Sequence, residues 1–127
     1  MTSKYLFYPF TGQYENDNSF NVALINCCVY KQIEVPLLIN VDKNKEEYLK
    51  KLNLKNGNNL NKLFQYGGIV IINHPLLNIN HSFLMIKDED NTYVLINSFM
   101  GPRILSGISK ERIENTFNIV DGYYFSK

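Results

Sequence analysis

Three apolar segments in the second half of the chain constrain its fold more than any other feature of the sequence. They read GIVIIN at 68–73, HSFLMIK at 81–87 and TYVLINSF at 92–99. Segments of this length, rich in Ile, Val and aromatic residues, are typical of buried strands. The polar sequence DEDN at 88–91 separates the second segment from the third and predicts a tight hairpin turn. We therefore expect an antiparallel sheet in this half of the chain.

The first half of the chain has the period of helices instead. Apolar residues recur at steps of three and four over 19–31, which predicts a helix there. Asp42 is expected to cap a second helix over 43–54. A third helix over 59–66 is expected to end at Gly67, the first of two adjacent glycines.

The two ends of the chain complete the expected fold. Residues 4–10 read KYLFYPF and predict a short strand or extended arm, which a proline keeps at an edge. Ser109 is expected to cap a short helix over 110–117. A turn that includes Gly122 then leads into a last strand over 123–126. Helices followed by an antiparallel sheet define the α+β class.

Composition limits the classes of protein that the chain can belong to. A hydrophobic fraction of 45% in 127 residues predicts a single domain over residues 1–127. Its 13 basic and 12 acidic residues are intermixed, so no basic stripe suggests a nucleic-acid partner. No segment has the length of a membrane span, and the N-terminus lacks the pattern of a signal peptide.

Cysteine and histidine placement bears on the compartment and on metal binding. Adjacent Cys27 and Cys28 on a helix are typical of free core thiols, and free thiols favour a reducing compartment. We therefore expect a cytoplasmic protein. The two histidines are far from the cysteine pair along the chain and do not have ligand spacing, so we expect no metal and no cofactor.

Ser19 stands where a polar, Asn-rich loop becomes the first helix. The free N–H groups and the positive dipole end of the helix both favour an oxygen or an anion at this place. Ser19 can therefore be a plain helix cap, which is the commoner role of serine there, or the seat of a nucleophile.

His81 and Asn97 are the second pair of candidate site residues. His81 opens one strand of the predicted hairpin, and Asn97 closes the other, so the two are expected to be neighbours. A side-chain amide beside an imidazole is one way to orient a catalytic histidine. A histidine at a strand edge beside a polar strand end is the plain structural alternative. His74 precedes a proline and fits a turn or surface position better.

The order of these residues resembles a known peptidase family. The segment GQYENDNSFNVALINCCVYKQIEV is similar to the start of the bacteriocin-processing, double-glycine peptidase domains of peptide-exporting ABC transporters. In that family a Gln lies six positions before the nucleophilic Cys, as Gln13 lies before Ser19. HSFLMIKDEDNTYVLINSFMG is similar to the family's histidine strand, turn and aspartate strand, which aligns His81 with the catalytic histidine and Asn97 with the orienting Asp. ISKERIENTFNIVDGYYFS is similar to its closing helix and strand.

The resemblance implies a papain-like cysteine peptidase fold, in which an N-terminal helical lobe packs on an antiparallel sheet. It also implies catalytic roles for Ser19 as nucleophile, His81 as base, Asn97 as orienter and Gln13 as oxyanion donor. The implied partners are a peptide or protein substrate with a leader segment and, as one candidate, an ABC exporter.

Four departures from the family pattern predict impaired catalysis. Ser19 replaces the nucleophilic Cys, Phe20 replaces a Gly, and Asn18 and Asn97 replace aspartates. A serine hydroxyl is harder to ionise than a thiol, and the imidazolium that forms during attack is best supported by a carboxylate. The sequence thus combines a weaker nucleophile with weaker support.

Three functional hypotheses follow from the sequence. The first is a peptidase-like domain that binds a peptide but cleaves it poorly or not at all. The second is an active papain-like peptidase or acyl-transfer enzyme, with Ser19 either native or an engineered replacement of Cys. The third is an unrelated α+β interaction protein in which the matches arise by chance.

Overall fold

The structure is a computed structural model that describes residues 10, 19–34, 41–57, 60–74, 76, 78–98 and 103–126, and only the backbone of 41–44. The chain has the α+β class that the sequence predicts. The helices of the described part are α1 Ser19–Lys31, α2 Val41–Lys51, α3 Leu60–Tyr66 and α4 Lys110–Thr116. Its strands are β1 Leu54–Asn56, β2 Gly68–His74, β3 Ile79–Lys87, β4 Thr92–Ile96, β5 Ile104–Ser109 and β6 Ile119–Phe125.

All described strands belong to one antiparallel sheet with the order β1-β6-β2-β3-β4-β5. The hairpin predicted from DEDN joins β3 to β4 through a short 3-10 turn at Glu89–Asn91. Strand β4 pairs with β3 only from Leu84↔Ile96 to Lys87↔Tyr93. The first half of β3 therefore has β2 on one side and lies beyond the end of β4 on the other. This open corner of the sheet is where the candidate site lies.

Helices cover both faces of the sheet. Because side chains alternate between faces along a strand, β3 contributes Leu84 and Ile86 to one face and Phe83 and Met85 to the other. Leu84 and Ile86 pack in a core cluster with α1 and α2, whereas the other two pack in a cluster with α3 and α4. Helices α1 and α2 thus cover one face of the sheet, and α3 and α4 cover the opposite one.

Helix α1 lies where the sequence predicts it, with the predicted periodicity. It buries residues at steps of three and four against the sheet: Phe20, Ala23, Leu24, Cys27 and Cys28. It ends at Lys31, and the next residue, Gln32, takes a left-handed φ of 58° and donates its N–H to the carbonyl of Val29. The amide of Ile33 reaches back to the Cys28 carbonyl, so the last turn of the helix is closed by backbone hydrogen bonds.

The predicted bounds of the second helix, residues 43 and 54, are wrong at both ends. Helix α2 begins at Val41, so Asp42 lies inside its first turn instead of before it. It ends at Lys51, and Leu54 lies in strand β1, which pairs with β6 through Leu54↔Phe125. Sequence periodicity alone could not separate these two elements, because the buried Leu52 and Leu54 fit either a helix or a strand.

The C-terminal part also differs from the expectation. Strand β5 lies where the sequence predicts no strand, and Asp121 and Gly122 lie inside β6 rather than in a turn before it. An irregularity lies between the pairs Ile71↔Asp121 and Ile72↔Ile119, which makes Val120 the extra residue of a bulge. Ser109 caps α4 as predicted, since its side chain accepts a hydrogen bond from the amide of Arg112 at 3.2 Å.

Some sequence expectations fall outside the part that the structure describes. The predicted strand or arm over 4–10 is represented there by Phe10 alone, a buried residue whose carbonyl accepts a hydrogen bond from Arg103. Gln13 and Asn18 also lie outside the described residues. Of the helices that are described, none is both long enough and apolar enough to cross a membrane.

Candidate functional site

Ser19 lies at the first position of α1 and contacts the backbone of β3. Its Oγ accepts a hydrogen bond from the N–H of Ser82 at 3.0 Å. Ser82 belongs to the half of β3 that extends past the end of β4. The hydroxyl of Ser19 therefore satisfies a buried strand amide at a point where the pairing with β4 has ended.

His81 is the neighbour of Ser82 on β3 and is almost completely buried, with 2% of its surface exposed. Its Nε2 lies 2.6 Å from the backbone carbonyl of Asn97. A carbonyl oxygen only accepts hydrogen bonds, so Nε2 carries the proton and Nδ1 is the basic nitrogen of the neutral ring. The imidazole is also tilted against Phe83, with 6.2 Å between the ring centroids. Packing and a short hydrogen bond thus fix the orientation of the ring.

Asn97 follows the last residue of β4 and takes a left-handed φ of 64°. Its amide donates to the carbonyl of Arg103 at 2.8 Å, and its carbonyl accepts from His81. The hydrogen bond that joins the two residues therefore uses the backbone of Asn97, and not its side-chain amide as predicted from the sequence. Asn tolerates left-handed backbone better than most residues, which is a conformational reason for Asn at this position.

The structure brings Ser19, His81 and Asn97 to one corner of the sheet, but the serine hydroxyl is not hydrogen-bonded to the imidazole. The hydrogen bond of Ser19 goes to the amide one residue further along β3. His81 shares the strand alternation of Phe83, whose side chain belongs to the cluster formed with α3 and α4. Helix α1, which carries Ser19, packs on the opposite face. Ser19 and His81, the predicted nucleophile and base, are therefore close in the fold but do not form the hydrogen-bonded pair that general-base catalysis uses.

Burial sets the charge states of the site and of the nearby thiols. Burial lowers the pKa of His81, and the hydrogen bond to the Asn97 backbone opposes that effect, so the neutral ring is favoured. Burial raises the pKa of Cys27, with a further increase from Cys28, and burial also raises the pKa of Cys28. Both thiols are therefore poor nucleophiles at neutral pH.

Phe20 occupies the position that is Gly in the resembled family, directly after Ser19. Its buried ring packs edge-on against Tyr123 of β6, with 5.5 Å between the centroids. The ammonium group of Lys45 on α2 lies 5.0 Å from the centroid of the same ring. Phe20 therefore packs the start of α1 against the sheet, which is a structural role for its large side chain.

Two further serines, Ser82 and Ser98, lie at this corner, and neither is predicted from the sequence as a site residue. Ser82 supplies the amide that contacts Ser19, and Ser98 follows Asn97 with only 1% of its surface exposed. A backbone amide leaves no signature in a sequence, so the role of Ser82 could not be found there. Ser98 could have been noticed as a polar residue at the end of an apolar strand segment.

The described residues contain no group of three or more His, Cys, Asp and Glu side chains that could hold a metal ion. No protein-family model matches the chain, and no curated protein and no solved structure matches it significantly. Over the residues that the structure describes, the chain has an α+β fold with a six-stranded antiparallel sheet.

Proposed function

We propose that this chain is a peptidase-like domain with a papain-like fold, which binds a peptide leader segment and has lost most or all of its cleavage activity. The observation that supports the proposal best is the meeting of three distant segments at one corner of the sheet. Ser19 at the start of α1 contacts the amide next to His81, and His81 contacts the backbone of Asn97. The resemblance to double-glycine leader peptidases aligns the same three residues with a catalytic site.

Weak catalysis follows from the chemistry of these residues. The Ser19 hydroxyl is engaged with a backbone amide, and its proton has no imidazole hydrogen-bonded to receive it. The hydrogen bond of His81 at Nε2 goes to a neutral carbonyl, whereas an imidazolium formed during attack needs a carboxylate for support. In serine proteases with a Ser-His-Asp triad, replacing that carboxylate by an amide lowers turnover about ten-thousand-fold.

The ligand that suits this proposal is a peptide with an amphipathic helical leader and a pair of small residues at its end. Apolar side chains of such a helix dock in a groove, and small residues allow close approach to the start of α1. A peptide exporter in the same cytoplasm is the matching partner. This part of the proposal rests on the family resemblance, and binding is the property to measure first.

The binding experiment uses the whole chain and a synthetic leader peptide that ends in Gly-Gly and continues for several residues. Titration calorimetry is expected to give tighter binding for this peptide than for a scrambled peptide of the same composition. Mass spectrometry of the same mixture is expected to detect the peptide uncleaved. Equal affinity for both peptides would refute leader binding, and rapid cleavage by the parent chain would refute impairment.

A second experiment asks whether residue 19 alone limits catalysis. Ser19→Cys supplies a more acidic nucleophile at the same backbone position, and Ser19→Cys combined with His81→Ala is the matched control. We expect both variants to leave the leader peptide intact, because the imidazole is not hydrogen-bonded to residue 19. Cleavage by the single variant that disappears in the double variant would instead support the active-peptidase hypothesis.

A further inference from the structure

Asn56 is the last residue of β1 and is followed by Gly57, which makes the one Asn-Gly sequence of the chain. Asparagine loses its side-chain amide most readily before a glycine, because glycine has no side chain to hinder attack by its backbone nitrogen. The side chain of Asn56 is exposed, so water reaches it. Neither residue belongs to the candidate site at the start of α1.

The pairing of β1 with β6 holds both of the groups that would react. The side-chain nitrogen of Asn56, Nδ2, donates to Oδ1 of Asp121 at 3.1 Å and to the carbonyl of Gly122 at 3.3 Å. The N–H of Gly57 donates to the same carbonyl at 3.3 Å. Ring closure also needs a backbone torsion at residue 56 that is far from the value in an extended strand. The nitrogen of Gly57 can therefore attack only after the end of β1 has separated from β6.

Strand β1 is suited to such local opening. It has three residues, lies at the outer edge of the sheet and pairs with β6 alone among the described strands. Short elements with a single partner open at a lower free energy than the whole domain. The reactive state of Asn56 is therefore reached without global unfolding.

We propose that Asn56 is a site of spontaneous deamidation that is controlled by the opening of β1, and that the reaction prevents β1 from pairing again. The nitrogen of Gly57 forms a bond to Cγ of Asn56, and the bond from Cγ to the side-chain nitrogen breaks. Ammonia leaves with the proton of the Gly57 amide. Water then opens the cyclic imide to an aspartate or to an isoaspartate, whose main chain contains an additional methylene. The inference is independent of the proposed function.

Either product opposes the closed strand. A carboxylate at position 56 has no N–H to donate, and in the closed strand it meets the carboxylate of Asp121 and the carbonyl of Gly122, which only accept hydrogen bonds. The additional methylene of isoaspartate also breaks the register Asn56↔Tyr123. Strand β6 then loses its outer neighbour and presents an unpaired edge.

The first experiment measures the rate of the reaction at position 56. The whole chain is incubated in mildly alkaline buffer with and without guanidinium chloride, and peptide mass spectrometry follows the conversion of Asn56. We expect conversion to be at least about tenfold slower in the folded chain, because only the open fraction reacts. Equal rates in the two conditions, or no conversion of Asn56 in the unfolded chain, overturn the proposal.

A second experiment tests the hydrogen bonds that hold Asn56. Asp121→Ala removes one acceptor and is expected to speed conversion in the folded chain by about two- to tenfold, the range that one lost hydrogen bond gives. Asp88→Ala is the matched control, because Asp88 lies in the β3–β4 turn and its side chain makes no cap hydrogen bond. An unchanged rate in the Asp121 variant, or the same acceleration in both variants, overturns the protective role of this contact.

Hydrogen exchange tests the effect of the product. Asn56→Asp has the chemistry of the deamidated side chain, whereas Asn56→Gln keeps an amide donor and serves as the control. The Gly57 amide is expected to exchange at least about tenfold faster in Asn56→Asp than in the parent, and to stay closer to the parent in Asn56→Gln. Unchanged protection of this amide in Asn56→Asp shows that β1 pairs as before, and it overturns the proposed consequence.

Discussion

Ser19 has a structural role at the residue scale that is independent of any chemistry. Helix starts favour serine because its oxygen accepts hydrogen bonds from backbone amides, usually those of its own helix. Here the hydroxyl accepts from an amide of another element, Ser82 on β3. It thus replaces the carbonyl that a longer β4 would have offered. This stabilising contact is a sufficient reason for a serine at position 19, whether or not the serine acts as a nucleophile.

Removal of this acceptor is expected to lower the free energy of unfolding. Ser19→Ala leaves the Ser82 amide without its partner and is expected to cost about 1–3 kcal/mol in urea denaturation. Ser109→Ala is the matched control, because that hydroxyl also accepts from a backbone amide but at an exposed helix cap, where about 1 kcal/mol is typical. A Ser19→Ala variant as stable as the parent would show that water or another group replaces the hydroxyl.

Substitutions at Asn97 can separate the role of its backbone from the role of its side chain. Its φ of 64° is accessible to Gly, whereas Ala there pays about 1–2 kcal/mol for left-handed backbone. We therefore expect Asn97→Gly to be close to the parent in urea denaturation and Asn97→Ala to be less stable. Burial, which lowers the pKa of His81, and the hydrogen bond to the carbonyl of residue 97, which opposes that effect, are both retained in the Gly variant, so NMR titration is expected to give a lowered His81 pKa there too. Equal loss of stability in both variants would indicate that the side chain carries the role.

The buried imidazole predicts a pH dependence of stability. Burial lowers the pKa of folded His81 below the ordinary value of 6.5, so the unfolded chain binds its proton first as the pH falls. The contribution of the neutral, buried His81 to the free energy of unfolding is complete above pH 6.5, and it is lost as the pH falls from that value through the folded pKa. Unfolding free energy measured in urea is expected to be higher at pH 7.5 than at pH 5.5.

Replacement of His81 provides the control for this effect. His81→Gln is expected to flatten the profile between pH 5.5 and 7.5, at some cost in stability. If the slope survived in this variant, burial of His81 would not be its cause.

At the scale of elements, the sequence predicts those parts whose signals are local. Helix α1 and the β3–β4 hairpin are predictable because a single period or turn sequence defines each of them. Strand β1 has only three residues and directly follows a helix of the same apolar spacing. Strand β5 contains the sequence Ser-Gly, which weakens a strand signal.

The candidate site also has one part that local sequence signals predict and another that they do not. The closeness of His81 and Asn97 follows from one hairpin and could be predicted. The contact of Ser19 with the Ser82 amide joins residues 63 positions apart through a backbone group, and no local pattern encodes it. The strand order, in which β6 lies between β1 and β2, depends on similar long-range pairing.

Gly68 controls the pairing of β2 with β6. It has a φ of 150°, and a Cβ built on it would lie 2.0 Å from the carbonyl oxygen of Tyr123 and 2.9 Å from the Tyr124 Cα. Both are backbone atoms of β6, so a side chain cannot be accommodated without separating the strands. Gly68→Ala is expected to cost more than about 3 kcal/mol in urea denaturation, in the upper range of single substitutions.

Gly107 on β5 is the matched control for this substitution. Its φ of 71° is also left-handed, but a Cβ there meets no atom of the described structure within 4 Å. Gly107→Ala is therefore expected to cost only the conformational strain, about 1–2 kcal/mol. Similar losses in the two variants would mean that backbone strain rather than the contact with β6 explains the glycine at 68.

At the scale of the whole molecule, burial of the sheet on both faces explains the unusual strand sequences. An antiparallel sheet with one solvated face alternates apolar and polar residues, but the central strands here are almost continuously apolar. Helices α1 and α2 shield one face, and α3 and α4 shield the other. The continuous segments that first indicated buried strands are thus a consequence of having two cores.

Two cores that share one sheet are expected to unfold together. Leu24 of α1 lies in the core on one face and Leu63 of α3 in the core on the other, and both are fully buried. Leu24→Ala and Leu63→Ala are each expected to cost about 2–5 kcal/mol. Each substitution is expected to shift the entire unfolding transition, because both helical layers pack on the same strands and loss of either layer exposes them.

The measurement follows urea unfolding by far-UV circular dichroism and by the fluorescence of the nine tyrosines. For the parent and both variants, the two signals are expected to change at the same midpoint with the same denaturant dependence. If Leu63→Ala produced a first transition that left the α1 core intact, the two faces would be separate folding units. Coincident curves mean instead that the corner holding Ser19, His81 and Asn97 is maintained by the stability of the entire sheet, including the layer on the far side from α1.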